Sequence, residues 1–401
     1  MAEIAVMGLG TVGTGVVKII SDNAGIISKK LGEPLQVRTI LVRRFRDGPY
    51  RHLCTDDFSK IENDPAIRVV VETIGGVDAA YEYTRRCLEA GKHVVTANKQ
   101  LIAERGCELL ELARKKNIKY LFEASVGGGI PILHPMLECL AANRIDEVYG
   151  ILNGTTNYIL TRMVRTGAFF SDALREAQRR GYAEADPTAD VDGIDAGRKI
   201  CVLGDLAFGH QIDPESVPME GISKLSLRDV KIANRAGYRI KLLGRALRLG
   251  PENGFESGSR TAYVAPHLIP ESMPIANVED VFNAIVVRGN AVGEVMFYGR
   301  GAGEMPTASA CVSDVMECLS SWGEAPIWSP DVSGFENPLK LRCRHYFRIE
   351  GSLTDAAMAF GQVEVLSEDG ETAFLTEPVT GLDAKKRAEK LNVLSCLRVL
   401  S

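Results

Sequence analysis

The sequence predicts an α/β chain in three parts: a doubly wound parallel sheet, a mixed α+β region and a small C-terminal module. Three observations predict it. Near-continuous apolar runs alternate with amphipathic helices over residues 1–128, the pattern of a parallel sheet covered on both faces. Beyond about 127 come helical candidates and then strand-like runs between 237 and 299, as in a mixed α+β domain whose sheet is covered by helices. Residues 343–401 then read β-α-β-β-α-β, a ferredoxin-like order.

The elements follow in order. EIAVM at 3–7 is a short apolar strand that stops at Gly8, and a helix runs from about Thr11 to Ser21. VRTILV (37–42), IRVVVETIG (67–75), HVVTANK (93–99) and IKYLFEASV (118–126) are further strands, with helices near 78–90 and 104–116 between them. Right-handed crossovers put the strand ends, and therefore ligands, along one edge of this sheet. Helices are expected at 130–142, 155–166, 171–180 and 194–208, then strands at 239–249, 260–264, 284–288 and 293–298. A helix at 307–320 follows the glycine-rich turn RGAGEMP. The Pro-, Ser- and Trp-rich stretch after it reads as a linker, 323–342, before HYFRI, a helix at 352–360, a hairpin with a D-G turn, a helix at 383–392 and CLRVL. The expected domains are thus 1–128 completed by 300–322, 129–299, and 343–401.

Composition excludes several functions. In 401 residues, 47 basic side chains meet 52 acidic ones, a net charge of -5, so no basic face for nucleic acid is expected. No apolar run is long enough to span a bilayer, and MAEIAVMGLG enters a strand without a secretory pattern. Nine scattered cysteines contain no C-x-x-C pair, which disfavours a disulfide framework or a zinc cluster and fits a cytoplasmic enzyme.

Gly8, Gly10 and Gly13 form G-L-G-T-V-G between strand and helix. The first glycine permits the tight turn, the second lets backbone approach a pyrophosphate, and the third allows close helix–strand contact. Thr11 and Val12 open the helix whose N–H groups would face the phosphates. Placed directly after the first strand, this is the fingerprint of a Rossmann dinucleotide-binding domain. The second strand ends in Arg43 and Arg44, where an NAD site normally has a carboxylate for the ribose 2′-hydroxyl. Arginines suit a 2′-phosphate, so NADP is expected over NAD; a solvated basic loop would read the same way.

Lys99 ends the strand and turn TANK. The stretch YAEADPTADVDGIDAGRK at 182–199 crowds Glu184, Asp186, Asp190, Asp192 and Asp195 before Lys199. An acidic helix entrance is one reading; calcium is disfavoured because the EF-hand spacing is not met. Asp195 and Lys199, four apart, share a helical face. That pair is a surface salt bridge or, at a cleft, a device that binds an amine and moves a proton.

Taken together, GLGTVG, TANK, FEASVGGGIPI, ILNGTTNYI, GYAEADPTADVDGIDAGRK, GISKLS and RGAGEMPTA closely resemble the homoserine dehydrogenase family, in that family's order over about residues 1–310. The resemblance implies NAD(P)-dependent interconversion of L-homoserine and L-aspartate 4-semialdehyde, by an α+β catalytic and dimerisation domain on the Rossmann domain. It implies that Lys199 is the acid–base lysine, Asp195 orients substrate or water, and Lys99 assists near the nicotinamide. Glu184 and Asp190 would hold the substrate, Asn153, Gly154 and Thr155 would line the cleft, and Gly301 would close over the cofactor. It also implies a monovalent cation such as Na+ on Glu123 and the carbonyls of Val126, Gly128 and Ile130, where a glycine-rich hinge without an ion is the competing reading. A homodimer or homotetramer with a small amino-acid substrate is expected. The C-terminal module resembles an ACT domain, but Ala356–Met358 stand where the family's Asp-x-x-Gly turn has its glycine, so packing or dimerisation is expected over effector binding. The nearest alternative is another oxidoreductase with the same cofactor domain, of the aspartate-semialdehyde or saccharopine-reductase type; an aspartate-semialdehyde dehydrogenase needs a nucleophilic cysteine motif that this sequence does not offer. A non-catalytic cofactor-binding sensor is disfavoured by the intact set of lysines and carboxylates.

Overall fold

The computed structural model describes residues 1–320 and 326–400; the expected linker residues 323–325, and 321–322 before them, lie outside that range. The first sheet has six parallel strands, β1 Ala2–Met7, β2 Leu35–Leu41, β3 Cys54–Thr55, β4 Ile67–Glu72, β5 His93–Thr96 and β6 Tyr120–Leu121. Their spatial order is β3-β2-β1-β4-β5-β6, so the winding reverses between β1 and β4 and a crevice opens there at the strand C-termini. Val69, Val70 and Val71 of β4 are all fully buried, which accounts for the continuous apolar run in the sequence. Helices α1 Thr11–Asp22, α2 Ala24–Leu31, α3 Ser59–Glu62, α4 Asp78–Glu89 and α5 Lys99–Lys115 connect these strands.

The second sheet is built from β7 Ile145–Ile151, β8 Tyr238–Arg248, β9 Arg260–Pro270, β10 Phe282–Gly289 and β11 Gly293–Arg300. Helices α6 Gly154–Thr166, α7 Phe170–Arg179, α8 Thr188–Val191, α9 Ile194–Phe208 and α10 Leu227–Arg235 belong to this region. Helix α11 Glu304–Leu319 returns to the first sheet, where Ala308, Cys311 and Val315 join Ile4, Val6, Val69 and Val71 in one apolar cluster.

The C-terminal segment supplies β12 Arg342–Cys343, β13 His345–Glu350, α12 Leu353–Phe360, β14 Val363–Glu368, β15 Thr372–Thr376, β16 Val379–Thr380, α13 Gly381–Ala388 and β17 Asn392–Val399. It does not stand apart. β17 runs parallel to β9, with Arg398 opposite His267 and Val399 opposite Leu268, making one nine-stranded sheet, β11-β10-β7-β8-β9-β17-β13-β15-β14. A buried ion pair adds to the join: Arg348 Nε donates to Asp229 Oδ1 of α10 at 2.7 Å. β12 and β16 pair separately.

Some elements differ from expectation for local reasons. The strand expected at 118–126 survives only at Tyr120–Leu121. The chain then bends into a 3-10 turn, Glu123–Ser125, whose carboxylate folds back to accept N–H groups from Ile132, Leu133 and His134. Instead of a helix at 130–142 there is a π-helical turn, Pro135–Cys139, because Pro131 and Pro135 each remove a backbone donor. The helix expected from 104 starts at Lys99, capped by Asn98, whose side chain accepts from Leu101 N at 3.1 Å. The last helix begins at Gly381 and stops at Ala388.

Candidate active site

Residues Gly8 and Gly10 line a groove of about 690 Å³ together with Arg43, Arg44, Thr73 and Tyr83. Gly8 has a φ of +100°, a left-handed conformation that favours glycine. Gly13 lies against the same turn: a Cβ there would fall 2.0 Å from Gly8 O. Thr73 at the end of β4 fixes the turn from the other side, its hydroxyl donating to the carbonyls of Met7 and Gly8, each at 3.0 Å. Thr11 and Val12 form the first turn of α1, which has no side-chain cap, so its leading N–H groups are available to an anion. Arg43 and Arg44 are exposed at the groove wall.

A passage lined by Thr73, Val12, Ala97 and Lys99 leads from the groove to a cleft of about 590 Å³. Lys99, Asn153, Gly154, Thr155, Glu184, Asp190, Asp195, Lys199 and Gly301 all line it. Three helix starts bring the two lysines, Asp195, Asn153, Gly154 and Thr155 together. Lys99 is the first residue of α5, Asn153 caps α6 with its side chain accepting from Thr156 N, and Asp195 with Lys199 occupies the buried first turns of α9. Lys99 Nζ lies 2.8 Å from Asp195 Oδ1, and Lys199 Nζ lies 2.8 Å from Asp195 Oδ2. The two lysines therefore share one carboxylate. Lys199 Nζ also donates to Leu152 O at 2.7 Å, and Asn153 Nδ2 donates to Asp190 Oδ1 at 2.7 Å and Asp195 Oδ2 at 3.0 Å.

The electrostatics follow from burial and proximity. Burial lowers the Lys199 ammonium pKa; Asp195 works against that and the Lys99 charge adds to it, with a net shift below the usual lysine value. Burial opposes the Asp195 charge, but Lys199 and Lys99 outweigh it and hold the carboxyl below its usual range. Asp190 is pushed up, first by burial and also by Asp195. Glu184 is exposed at the mouth of the cleft. A lysine at a helix start opposes the helix dipole, so the Lys99–Asp195 contact offsets an unfavourable placement. The arrangement can hold an oxygen between two lysines and exchange a proton with it.

Glu123, Gly128 and Ile130 lie behind this wall and Val126 lines it. Glu123 Oε1 accepts from Ile132 N and Leu133 N, and Oε2 from His134 N at 2.7 Å. Gly128, with φ +59°, packs on Gly301: a Cβ there would lie 2.4 Å from Gly301 O.

Comparison with known proteins agrees with this geometry. A family model described as "Homoserine dehydrogenase, NAD binding domain" matches residues 8–123, and one described as "Homoserine dehydrogenase" matches residues 131–316. The homoserine dehydrogenase of Bacillus subtilis is 39% identical over 394 residues, covering 95% of this chain and 89% of that one. The chain belongs to the homoserine dehydrogenase family. The crystal structure of a homoserine dehydrogenase from Thiobacillus denitrificans superposes with a TM-score of 0.89 at 35% identity, covering 100% of this chain and 98% of that one. A hyperthermophilic archaeal homoserine dehydrogenase in complex with NADPH gives a TM-score of 0.67 at 27% identity, covering 80% of this chain and 99% of that one. Like the rest of the family, the chain is a nicotinamide-dependent oxidoreductase with a Rossmann domain and an α+β catalytic domain.

Three residues of the site have little sequence signal. Thr73 and Asn98 support the turn and the helix that carry Gly8 and Lys99, and Arg198 joins Lys99, Gly75 and Gly76 at the passage between groove and cleft. Only Asn98 had a cue, as a capping-type residue before an apolar-periodic helix.

Proposed function

We propose that Lys199 exchanges the proton when L-homoserine and L-aspartate 4-semialdehyde are interconverted, the reaction of the family to which the chain belongs. The observation that carries this is the pair of lysines on one carboxylate in a cleft reached from the glycine-lined groove by the passage at Thr73, Val12 and Ala97. Bound NADP(H) supplies the acceptor or donor of hydride. In oxidation, neutral Lys199 takes the proton of the substrate hydroxyl; in reduction, its ammonium returns it. Lys99 faces the same oxygen and stabilises its developing negative charge. Asp195 holds both lysines and orients the substrate, while Glu184 and Asp190 receive its ammonium and hydroxyl ends. Asn153, Gly154 and Thr155 shape the wall.

The 2′-phosphate of NADP falls to Arg43 and Arg44 in this reading, supported by their position on the groove that Gly8 and Gly10 line; Thr11, Val12, Gly13 and Gly301 complete the cofactor site, and NAD is the weaker cofactor. A monovalent cation such as Na+ fits the oxygen set of Glu123, Val126, Gly128 and Ile130. Among the described residues those three carbonyls accept no hydrogen bond, and Glu123 Oε2 accepts one. Such an ion would brace the segment that packs on Gly301. The exposed Met296 and Tyr298 on edge strand β11 support a homodimer or homotetramer, and nine free cysteines support a cytoplasmic setting. The test is oxidation of L-homoserine with NADP and NAD side by side, in the native protein and in Arg43→Ala/Arg44→Ala. The expected result is a KM for NADP raised about 10-fold or more by losing charged hydrogen bonds, with the KM for NAD unchanged. Equal effects on both cofactors would remove the arginines from the 2′-phosphate.

A further inference from the structure

Asn283 is the second residue of β10 and 2% exposed, a lone amide in a strand whose next residues are Ala284, Ile285, Val286 and Val287. Its Oδ1 is buried without a hydrogen-bond partner, and among the described residues its Nδ2 donates to nothing. Buried amides are almost always paired, and the neighbouring ones are. Asn153 donates to Asp190 and Asp195, and Asn157 donates to Val278 O and Phe282 O. Asn283 lies in the wall of the cleft that Lys199 also lines, next to Gly301 and Gly154. A Cβ on Gly301 would fall 2.0 Å from Asn283 Nδ2, and one on Gly154 would fall 3.5 Å from Oδ1. The free amide is thus wedged between the turn assigned to the cofactor and the helix start assigned to the substrate.

A primary amide offers a donor and an acceptor side by side. The nicotinamide ring bears the same pair as its carboxamide; a carboxylate or an ammonium would use only one of the two, and the substrate hydroxyl, which could use both, is already assigned to the two lysines. Resting on the dehydrogenase reading, we infer that Asn283 is a cofactor-positioning residue that holds the nicotinamide carboxamide, its Nδ2 donating to the carboxamide oxygen. That contact would restrict the ring's rotation in the cleft that Lys199 also lines. Gly301 is then required as glycine by Asn283 itself, because any side chain there would displace the amide.

The test is steady-state oxidation of L-homoserine by the native protein, Asn283→Ala and Asn283→Asp, with NADP and with its thionicotinamide analogue, whose sulfur is a poor acceptor. The native protein should favour NADP. In Asn283→Ala the KM for NADP should rise about 10-fold, as for one lost hydrogen bond, the KM for homoserine should change less than about 2-fold, and the preference over the analogue should vanish. Asn283→Asp, nearly the same in shape but without the donor, should behave alike and serves if the alanine variant does not fold. A raised KM for homoserine with cofactor selectivity intact would hand the amide to the substrate and overturn the inference. Unchanged constants and selectivity in a folded variant would do so as well. Should the native protein not turn over homoserine, the dehydrogenase reading fails separately, and NADPH fluorescence titration of the same proteins still reads the carboxamide contact.

Discussion

At the scale of single residues, Asp195 sets the charge balance. It pairs with both lysines, so Asp195→Asn leaves two ammonium groups facing one another near Asn153 and Asp190. Among the groups on Lys199, Asp195 and Asp190 raise its pKa, while burial and Lys99 lower it. Removing Asp195 therefore lowers it further. Oxidation needs neutral Lys199 and should rise with pH through a pKa below the ordinary lysine value of 10.5. In Asp195→Asn that rise should move to lower pH, with kcat reduced about 100-fold by lost orientation. A pH–rate profile of both proteins checks this; a rise that stays in place or moves to higher pH contradicts it. Lys199 and Asp195 were legible in the sequence because spacing of four on a helix is a local property. That Lys99 reaches the same carboxylate is not local, and only the docking of α5 against α9 creates it.

At the scale of elements, the G-L-G-T-V-G turn depends on contacts that spacing anticipates but does not measure. A methyl group on Gly13 would lie 2.0 Å from Gly8 O and 2.9 Å from Thr73 Oγ1, and the backbone oxygen cannot move aside without opening the turn. Gly13→Ala should cost about 1–3 kcal/mol of stability and weaken NADPH binding, checked by thermal unfolding and by fluorescence titration. Native affinity and stability would show that helix α1 can shift. The early strands were readable because short apolar runs dominate them, as in residues 4–7 and 69–71. The segment after β6 was not, because Glu123 takes its partners from nine to eleven residues ahead, and its N–H bonds to Asp314 on α11.

At the scale of the whole molecule, the C-terminal β-α-β-β-α-β order was visible in the sequence, but its fusion to the catalytic sheet was not. That join rests on β17 lying beside β9 and on Arg348 meeting Asp229, 0% exposed, which also accepts from Tyr346 Oη at 3.0 Å. No periodicity reports a pairing across more than a hundred residues. Asp229→Ala leaves the Arg348 guanidinium buried with one fewer carboxylate, and should cost about 3–5 kcal/mol, seen as a lower unfolding midpoint. Asp229→Leu with Arg348→Met should recover part of the loss, since neither charge then remains in the join. A native midpoint in Asp229→Ala would mean that the two parts are held by strand pairing and apolar contact alone.

Proton exchange at the substrate oxygen rests on Lys199. Its most direct test compares L-homoserine oxidation by the native protein and by Lys199→Ala, with NADPH affinity titrated in both. The predicted result is NADP-dependent turnover that falls at least ~100-fold in kcat on losing the acid–base group, while NADPH binds both proteins alike. Turnover in Lys199→Ala close to the native rate, with the protein folded and cofactor bound, would contradict the assignment.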